Sequence, residues 1–264
     1  MIRLEHLNCT FQPGTPSAKT VIRDLNLEVG TGEFVTIIGS NGAGKTTLFN
    51  LIAGSLTPTA GRVRIDGEDV TLRPEHKRAR TIGRIFQDPL AGTASNMTLE
   101  DNMMITCKKG FKWPVISLNR RMRAYFCEQL VNLKMGLEMR MKENVSSLSG
   151  GQRQALTLLM MVLSKPAIAL LDEHTAALDP SNAAVVMDLT TRFVREKRLT
   201  TLMITHNMNH AIAFGSRLLM MDGGEIIIDV SGAEKAALTV PKLLDMFNAI
   251  RKKDFENDEV LLSV

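Results

Sequence analysis

Apolar and polar positions near both ends of the chain follow patterns that predict β-strands. Residues 25–29 alternate strictly, as expected for a strand with one buried face. Residues 34–38 are continuously apolar and lead into Gly39, which is typical of a strand buried on both faces. The other predicted strands cover residues 62–66, 82–86, 167–171, 200–204, 218–221 and 225–229. The last two flank a Gly223-Gly224 turn and predict a hairpin.

The middle of the chain follows a helical period instead. Residues 98–164 are predicted to be mainly helical, with helices at 118–135 and 151–164 that stop at Gly136 and before Pro166. A further helix begins at Asp179-Pro180, where a capping residue precedes a proline in the first turn. Strand–helix alternation on both sides of this helical insert predicts an α/β fold class with a mostly parallel sheet.

The composition is that of an ordinary globular protein and changes this picture little. Of 264 residues, 44% are apolar and 23% are charged. The longest apolar run, residues 155–163, is far shorter than the roughly 20 residues that cross a bilayer. The start of the chain carries Arg3 and Glu5 without an apolar segment, so no signal peptide is predicted. Three scattered cysteines fit neither a disulfide framework nor a zinc pair, which favours a reducing cytoplasm.

The net charge of +4 is mild, but basic residues gather in two clusters. The first contains Arg73, Lys77, Arg78, Arg80 and Arg84, and the second contains Lys108, Lys109, Lys112, Arg120, Arg121 and Arg123. Such clusters either face an anionic lipid or nucleic acid or form a solvated surface, and the solvated surface is favoured. Few aromatic residues are interleaved with them, so no nucleic-acid partner is predicted.

Residues 39–46 read GSNGAGKT and match the pattern G-x-x-x-x-G-K-[ST] between a buried strand and an apolar helix. Glycines allow such a loop to curl until its backbone N–H groups point at phosphate oxygens, and the helix dipole adds to this attraction. Lys45 reaches the terminal phosphates and Thr46 ligates Mg²⁺. The predicted phosphate-binding residues are Gly39, Ser40, Asn41, Gly42, Ala43, Gly44, Lys45, Thr46 and Thr47. The sequence therefore predicts a nucleoside triphosphate and Mg²⁺ as ligands.

Two adjacent carboxylates follow the predicted strand at 167–171, whose end should lie beside the phosphate loop at the carboxyl edge of the sheet. Successive strand residues point in opposite directions. Asp172 can therefore hold Mg²⁺ while Glu173 faces a water that attacks the γ-phosphate. As a general base, Glu173 would contribute about 10²–10⁴ in rate.

Residues Leu148, Ser149, Gly150, Gly151 and Gln152 read LSGGQ and open the next helix. The S-x-x-Q spacing is that of a capping box, although a serine, two glycines and the N–H groups of a helix start also make an anion site. Together with the phosphate loop, this motif resembles the signature of ATP-binding-cassette (ABC) ATPases. The resemblance covers almost the whole chain, and the motifs come in the order of the family.

The resemblance implies roles for further residues. Gln87 corresponds to the glutamine that senses Mg²⁺ and the attacking water, His206 to the switch histidine, and Asp179 to a loop that crosses the dimer interface. Phe11 stands where the family places an aromatic ring against adenine. The implied catalytic residues are Glu173, His206 and Gln87, and the implied metal ligands are Thr46, Gln87 and Asp172. The implied ATP contacts are Phe11, residues 39–47, residues 148–152 and Asp179.

The resemblance also implies a P-loop NTPase core with a mostly parallel sheet, N-terminal antiparallel strands and a helical subdomain. As a single ABC domain, the chain would have its core at about 1–87 and 166–240, the helical subdomain at about 88–165, and a C-terminal helix and tail at about 239–264. Residues 88–102 join the core to the helical subdomain, in the region that grips a membrane subunit in this family.

Two other histidines are weighed against His206. His174 directly follows Glu173, where most of the family has proline, and we expect it to be a loop residue without a chemical role. His210 lies four residues after His206, but no third ligand and no HExxH pattern accompany the pair, so zinc is not predicted.

The predicted function is that of a transport ATPase. Segments reading FQPGTP, QDPLAGT and DEHTAALDP are similar to a bacterial importer subgroup that includes tryptophan and tyrosine systems. This implies a head-to-tail dimer with a second copy, an integral membrane permease, an extracytoplasmic substrate-binding protein, and a peripheral location on the cytoplasmic face of a bacterial inner membrane. The alternative is a soluble ABC ATPase that acts as an assembly factor, as in iron–sulfur cluster assembly. The transported molecule does not follow from the sequence.

Overall fold

The computed structural model describes residues 1–107, with the side chain of Cys107 excepted, and 118–250. These residues belong to two compact units, one formed by Met1–Glu75 with the chain from Leu202 onward and the other by His76–Thr201. The predicted division into a core and a helical subdomain stays a prediction. Lys108, Lys109 and Lys112 of the second basic cluster lie outside the described residues, as does the part of the predicted C-terminal helix and tail from residue 251 onward.

The strands and helices follow each other along the whole described chain. The strands are β1 (Ile2–Phe11), β2 (Lys19–Val29), β3 (Phe34–Gly39), β4 (Ala60–Ile65), β5 (Glu68–Asp69), β6 (Ile82–Ile85), β7 (Ile168–Asp172), β8 (Thr200–Ile204), β9 (Arg217–Asp222) and β10 (Glu225–Ser231). The helices are α1 (Lys45–Ala53), α2 (Glu75–Arg78), α3 (Leu99–Cys107), α4 (Arg120–Val131), α5 (Gly150–Leu163), α6 (Pro180–Lys197), α7 (Met208–Ala213) and α8 (Gly232–Ala236). Residues 240–250 are also helical.

The first unit begins with an antiparallel sheet whose strand order is β2-β1-β4-β5. Ile2 lies opposite Val29 on one side and Ile65 on the other, and all three side chains are buried. The prediction of N-terminal antiparallel strands is confirmed. The second strand starts at Lys19, earlier than the predicted residue 25, because its pairing with β1 extends as far as Phe11.

A second sheet in this unit has the order β10-β9-β3-β8. β3 runs parallel to β9, with Gly39 opposite Met221, and β9 and β10 form the predicted antiparallel hairpin. The helix at 240–250 places Leu243 in the apolar cluster beneath this sheet, with Phe247 packed at its edge. The end of β3, which carries the phosphate loop, is therefore fixed by neighbouring strands.

In the second unit, β6 and β7 run parallel, with Ile85 opposite Leu171. The described part of the predicted helical region contains α3, α4 and α5, as expected, although α4 is shorter than predicted. It starts at Arg120 because the Asn119 side chain caps it, accepting a hydrogen bond from Met122 N at 2.8 Å. It ends before the turn at Lys134 and Gly136, both of which have positive φ.

The first basic cluster is not uniformly a solvated surface. Arg73, Lys77 and Arg80 are exposed, but Arg78 is buried and Arg84 is largely buried beside an acid of the same unit. The prediction of a solvated cluster is therefore wrong for these two arginines, because their side chains point into the protein. Within residues 1–107 and 118–250, no helix has the length and apolar character to cross a membrane.

Candidate functional site

The phosphate loop connects β3 to α1 in the first unit. Gly44 precedes the helix with φ 97°, in the left-handed region, and no side chain caps the first turn. The first N–H groups of a helix have no partners within the helix, and the dipole places partial positive charge at the same end. The loop and the start of α1 thus form the geometry of an anion site.

Two glycines of this loop lie so close to the backbone of neighbouring strands that no larger residue fits at their positions. A Cβ atom on Gly39 would lie 2.1 Å from the carbonyl oxygen of Met221 in β9. A Cβ atom on Gly44 would lie 2.8 Å from the carbonyl oxygen of Val21 in β2. Both distances are shorter than real contacts of a Cβ atom, so only glycine fits at these two positions beside β9 and β2.

The Lys45 ammonium group lies inside this curl. Its side chain is buried, and Nζ donates hydrogen bonds of 2.9 Å to the carbonyl oxygens of Gly39 and Ser40. The Ser40 hydroxyl donates to Asp222 Oδ1 at 2.7 Å. Sequence reasoning missed Asp222, although the pairing of Gly39 with Met221 places the next residue beside Ser40. Thr46, at the start of α1, is exposed.

The same unit brings His206 next to the phosphate loop. A cavity of about 220 Å³ is lined by Gly39, Ser40 and His206 together with apolar side chains that include Met220 and Phe247. His206 is exposed and follows Thr205, whose N–H donates to a carbonyl oxygen of β3. The predicted adenine contact, Phe11, lies at the end of β1 and is 41% exposed.

His210 takes part in packing rather than in a cluster of ligands. It lies on α7, and its ring meets the ring of Phe214 edge-on at 5.6 Å. Within the described ranges, no three His, Cys, Asp or Glu side chains are grouped so that they would hold a metal ion.

In the second unit, β7 ends at Asp172. Asp172 as a residue is 7% exposed, and its Oδ2 lies 3.5 Å from Arg84 Nη2 on the neighbouring strand β6. The Arg84 guanidinium also lies over the ring of Phe86, 4.7 Å from the ring centre. An arginine that the sequence assigned to a surface cluster thus provides a cation beside the predicted metal ligand.

Glu173 has an unusual backbone conformation. Its φ of 47° lies in the left-handed region, which costs a residue other than glycine about 1–3 kcal/mol. Its carbonyl oxygen accepts a hydrogen bond of 2.9 Å from Ala176 N, which closes a turn. His174 is a loop residue, as predicted, but its side chain is only 2% exposed and Nε2 lies 3.0 Å from Thr190 Oγ1 on α6.

Gln87 follows β6 and is exposed. The chain after it is organised by Asn102 of α3, which is buried. Asn102 accepts a hydrogen bond of 2.8 Å from Ala94 N and donates one of 3.0 Å to Ala94 O. Beside this anchored loop, Leu90 is 52% exposed and Met97 is 39% exposed.

The LSGGQ segment forms the capping box that its spacing predicts. Ser149 Oγ accepts from Gln152 N at 3.3 Å, and Gln152 Oε1 accepts from Ser149 N at 3.2 Å. Arg140, which sequence reasoning missed, donates to the same Gln152 oxygen at 3.2 Å. A Cβ atom on Gly151 would lie 2.6 Å from the Asn182 side chain, so this glycine permits close packing of α5 and α6.

Asp179 caps α6 within the same unit. One carboxylate oxygen accepts from Asn182 N at 3.0 Å and the other from Asn182 Nδ2 at 2.6 Å. These hydrogen bonds lower the pKa of the Asp179 carboxyl, the backbone bond contributing most. The structure thus brings LSGGQ and Asp179 together through Asn182, whereas the phosphate loop and His206 belong to the first unit.

Comparison with protein families matches residues 22–176 to the family described as ABC transporter. The chain belongs to the ABC transporter family. A tyrosine transport ATP-binding protein of Clostridioides difficile is 40% identical over 94% of this chain and 98% of its own length. A methionine import ATP-binding protein of Enterococcus faecalis is 36% identical over 86% of this chain and 64% of its own length.

Solved structures agree with this assignment. A dimeric ATP-binding cassette in a post-hydrolysis state, bound to ADP and Pi, is 28% identical to this ABC protein. The match covers 88% of the chain described here and 98% of that cassette, with a TM-score of 0.72. The ABC ATPase fold is therefore confirmed. The chain is an ATP-binding, ATP-hydrolysing subunit of an ABC transporter, and the alternative of a soluble assembly factor is not supported.

Proposed function

We propose that this chain energises the uptake of a small molecule, such as an amino acid, through a bacterial membrane permease. Relatives named for tyrosine transport and methionine import support this class of substrate. The observation that supports ATP binding and hydrolysis as the energy source is the geometry of the phosphate loop. Its Lys45 ammonium lies within a curl that leads into a helix start without a side-chain cap.

ATP binds first to residues of one chain. Backbone N–H groups of residues 39–47 and the Lys45 ammonium hold the phosphate oxygens, and Phe11 packs against adenine. Gly39 and Ser40 orient Lys45, and Asp222 holds Ser40. The cation is therefore arranged before the nucleotide arrives, which lowers the cost of ordering on binding.

The proposed Mg²⁺ ligands are Thr46, Gln87 and Asp172, whose hydroxyl, amide and carboxylate oxygens are the donor type that this ion prefers. The Arg84 guanidinium beside Asp172 fits this role, because it supplies the counter-charge that a largely buried carboxylate needs. When bound, Mg²⁺ neutralises charge on the phosphate groups.

Hydrolysis uses Glu173 as the general base. The oxygen of a water attacks the γ-phosphorus while its proton passes to Glu173, and the bond to the bridging oxygen of ADP breaks. Gln87 and His206 orient the water, and His206 also contacts the γ-phosphate. The general base contributes about 10²–10⁴ to the rate.

A complete site needs a second copy of the chain. We assign the other side of each ATP to residues Leu148, Ser149, Gly150, Gly151 and Gln152 of the partner, with Asp179 crossing the interface. The start of α5 supplies N–H groups to the γ-phosphate. ATP therefore closes a head-to-tail, twofold-symmetric dimer of single-domain chains, and hydrolysis lets it reopen.

The permease contact is assigned to residues 88–102. Leu90 and Met97 expose apolar side chains there, on a loop that Asn102 holds to α3. An exposed apolar pair on an anchored loop suits a protein partner that moves with it. The chain would lie on the cytoplasmic face of the inner membrane and cooperate with an extracytoplasmic substrate-binding protein.

The test is purification of a tagged Glu173→Gln chain from native membranes in the presence of ATP, followed by mass identification of its partners. We expect a polytopic membrane protein and a binding protein, whose bound ligand then identifies the substrate. A matched Lys45→Ala/Glu173→Gln chain should show no ATP-dependent closed dimer. Recovery of soluble partners alone, with no chain in the membrane fraction, would overturn the transport proposal.

A further inference from the structure

His174 connects the loop of Glu173 to the middle of α6. Its imidazole is 2% exposed, and Nε2 lies 3.0 Å from Oγ1 of Thr190, which is itself fully buried. The contact joins residues 16 positions apart, from the end of β7 to the third turn of the following helix. A side chain that directly follows the proposed general base is therefore anchored in the core of its unit.

The direction of this hydrogen bond follows from its neighbours. Thr190 Oγ1 donates its one proton to the carbonyl oxygen of Val186 at 2.8 Å. A hydroxyl has a single proton and two lone pairs, so towards His174 the same oxygen acts as an acceptor. With Thr190 Oγ1 donating to Val186 O, His174 Nε2 is the donor in this contact.

The anchor restrains a strained residue. A non-glycine residue persists in the left-handed region only where its surroundings over-determine it. Glu173 has φ 47°, and its carbonyl oxygen is held by Ala176 N at 2.9 Å. The His174 side chain holds the other end of the same peptide unit. With both ends held, the direction in which the Glu173 side chain leaves the backbone at Cβ is restrained.

We propose that His174 is a positioning residue for hydrolysis. Its Nε2–H···Oγ1 bond to Thr190 keeps Glu173 in the left-handed conformation from which the carboxylate removes the proton of the attacking water. This inference rests on the proposed role of Glu173 as general base. It assigns a function to a residue that the sequence analysis predicts to be a loop position, without making it a participant in proton transfer.

The test compares steady-state ATP hydrolysis by His174→Leu, Thr190→Val and the double variant with the wild type. We expect each single change to lower kcat about 10- to 100-fold, because a small misplacement of a catalytic group has an effect of that size. The KM for ATP should be unchanged, and the double variant should lose no more than either single variant, because all three remove the same bond.

Three controls separate positioning from other roles. In His174→Gln, the side-chain amide nitrogen can replace Nε2 as donor, so kcat should recover towards the wild-type value. Thr191→Val removes a neighbouring threonine that makes an equivalent bond of 3.0 Å to Met187 O, and it should leave kcat unchanged. In a Glu173→Gln background, His174→Leu should leave the ATP-dependent closed dimer intact.

Wild-type kcat in Thr190→Val, which is nearly isosteric and therefore folds even if His174→Leu does not, would overturn the inference. A raised KM with unchanged kcat would overturn it too, because the residue would then act in nucleotide binding. If the proposed function itself were wrong, a different result would be seen. In that case Glu173→Gln itself would hydrolyse ATP at the wild-type rate.

Discussion

Arg84 Nη2 lies 3.5 Å from Asp172 Oδ2, with only 11% and 10% of the two side chains exposed. Removing one member of a buried pair leaves the other charge without its counter-ion. We expect Arg84→Met to lower the free energy of unfolding by about 3 kcal/mol, measured by urea denaturation.

The matched control for this pair is Arg73→Met. Arg73 forms a shorter pair of 2.7 Å with Glu68, but both side chains are about half exposed. Water screens such a pair, so its loss should cost less than about 1 kcal/mol. Equal losses in the two variants would show that burial of the Arg84 pair has no special effect.

Lys235 makes the folding stability of the protein depend on pH in the alkaline range. The side chain is 4% exposed, and burial lowers the pKa of its ammonium group from 10.5 to about 8. Between these pH values the unfolded chain binds more protons than the folded chain, so stability rises as the pH rises from about 8 to about 10.5. The full change is on the order of 3 kcal/mol.

We expect this rise to be absent in Lys235→Met when thermal unfolding is followed across that pH window. The difference between wild type and variant isolates Lys235 from other groups that titrate in the same range. Lys197→Met, at an exposed lysine of α6, is the matched control. If the rise persists in Lys235→Met, the buried amine is not its source.

The packing of α5 against α6 makes Gly151 sensitive to a single methyl group. Alanine is normally better than glycine in a helix by about 1 kcal/mol, yet a Cβ atom here would lie 2.6 Å from Asn182. We expect Gly151→Ala to lower the free energy of unfolding by about 1–3 kcal/mol. At Gly150 the closest atom would be Leu178 Cδ2 at 3.4 Å, so Gly150→Ala should be neutral or stabilising.

Asn182→Ala should restore part of the stability that Gly151→Ala loses, since it removes the group that the new methyl meets. Chemical denaturation of the two single variants and the double variant measures this coupling. Simple addition of the two losses would mean that the clash is relieved elsewhere in the structure.

The contact between Ser40 and Asp222 links the end of β9 to the phosphate loop. Because Ser40 O also orients Lys45 Nζ, we expect Asp222→Ala to weaken ATP binding about 3- to 10-fold, the value of roughly one hydrogen bond. The dissociation constant of a fluorescent ATP analogue measures the effect. Ser40→Ala should weaken binding equally, and the double variant should add little.

Asp229→Ala is the matched control for Asp222→Ala. Asp229 accepts hydrogen bonds from Arg217 within the same hairpin and lies opposite Leu219, whereas Gly39 pairs with Met221. ATP affinity should be unchanged in this variant. A comparable loss there would trace the effect to the stability of the hairpin rather than to Ser40.

The sequence predicts the phosphate loop and the LSGGQ capping box because both are local. Consecutive residues supply the glycines, the lysine and the capping groups, so neighbours along the chain determine their geometry. Strand positions were also predictable from burial patterns. The ends of the strands were less predictable. β2 starts at Lys19 because of its pairing with β1, and the alternation of apolar and polar residues within β2 does not reveal this.

Contacts between distant residues escaped prediction. Arg84 was placed on a solvated surface because its charge is visible in the sequence and its partner Asp172 is not. His174 is predicted to be a loop residue without a chemical role, and its contact with Thr190 is not visible in the sequence because Thr190 lies on another element. Strand register and helix packing bring the members of these two contacts together, and neither can be deduced from a single sequence.

The hydrogen bonds of Gln152 with Ser149 and Arg140 order the LSGGQ segment already in the folded single chain. Its side-chain oxygen is already held by Ser149 N and by Arg140, while Ser149 Oγ uses a lone pair, and not its proton, in the capping box. The entropy of fixing this surface is therefore lost when the chain folds rather than when two chains meet. In the proposed dimer, the Ser149 hydroxyl proton could rotate toward the partner's γ-phosphate, and each round of closure would use the same rigid surface without rebuilding it.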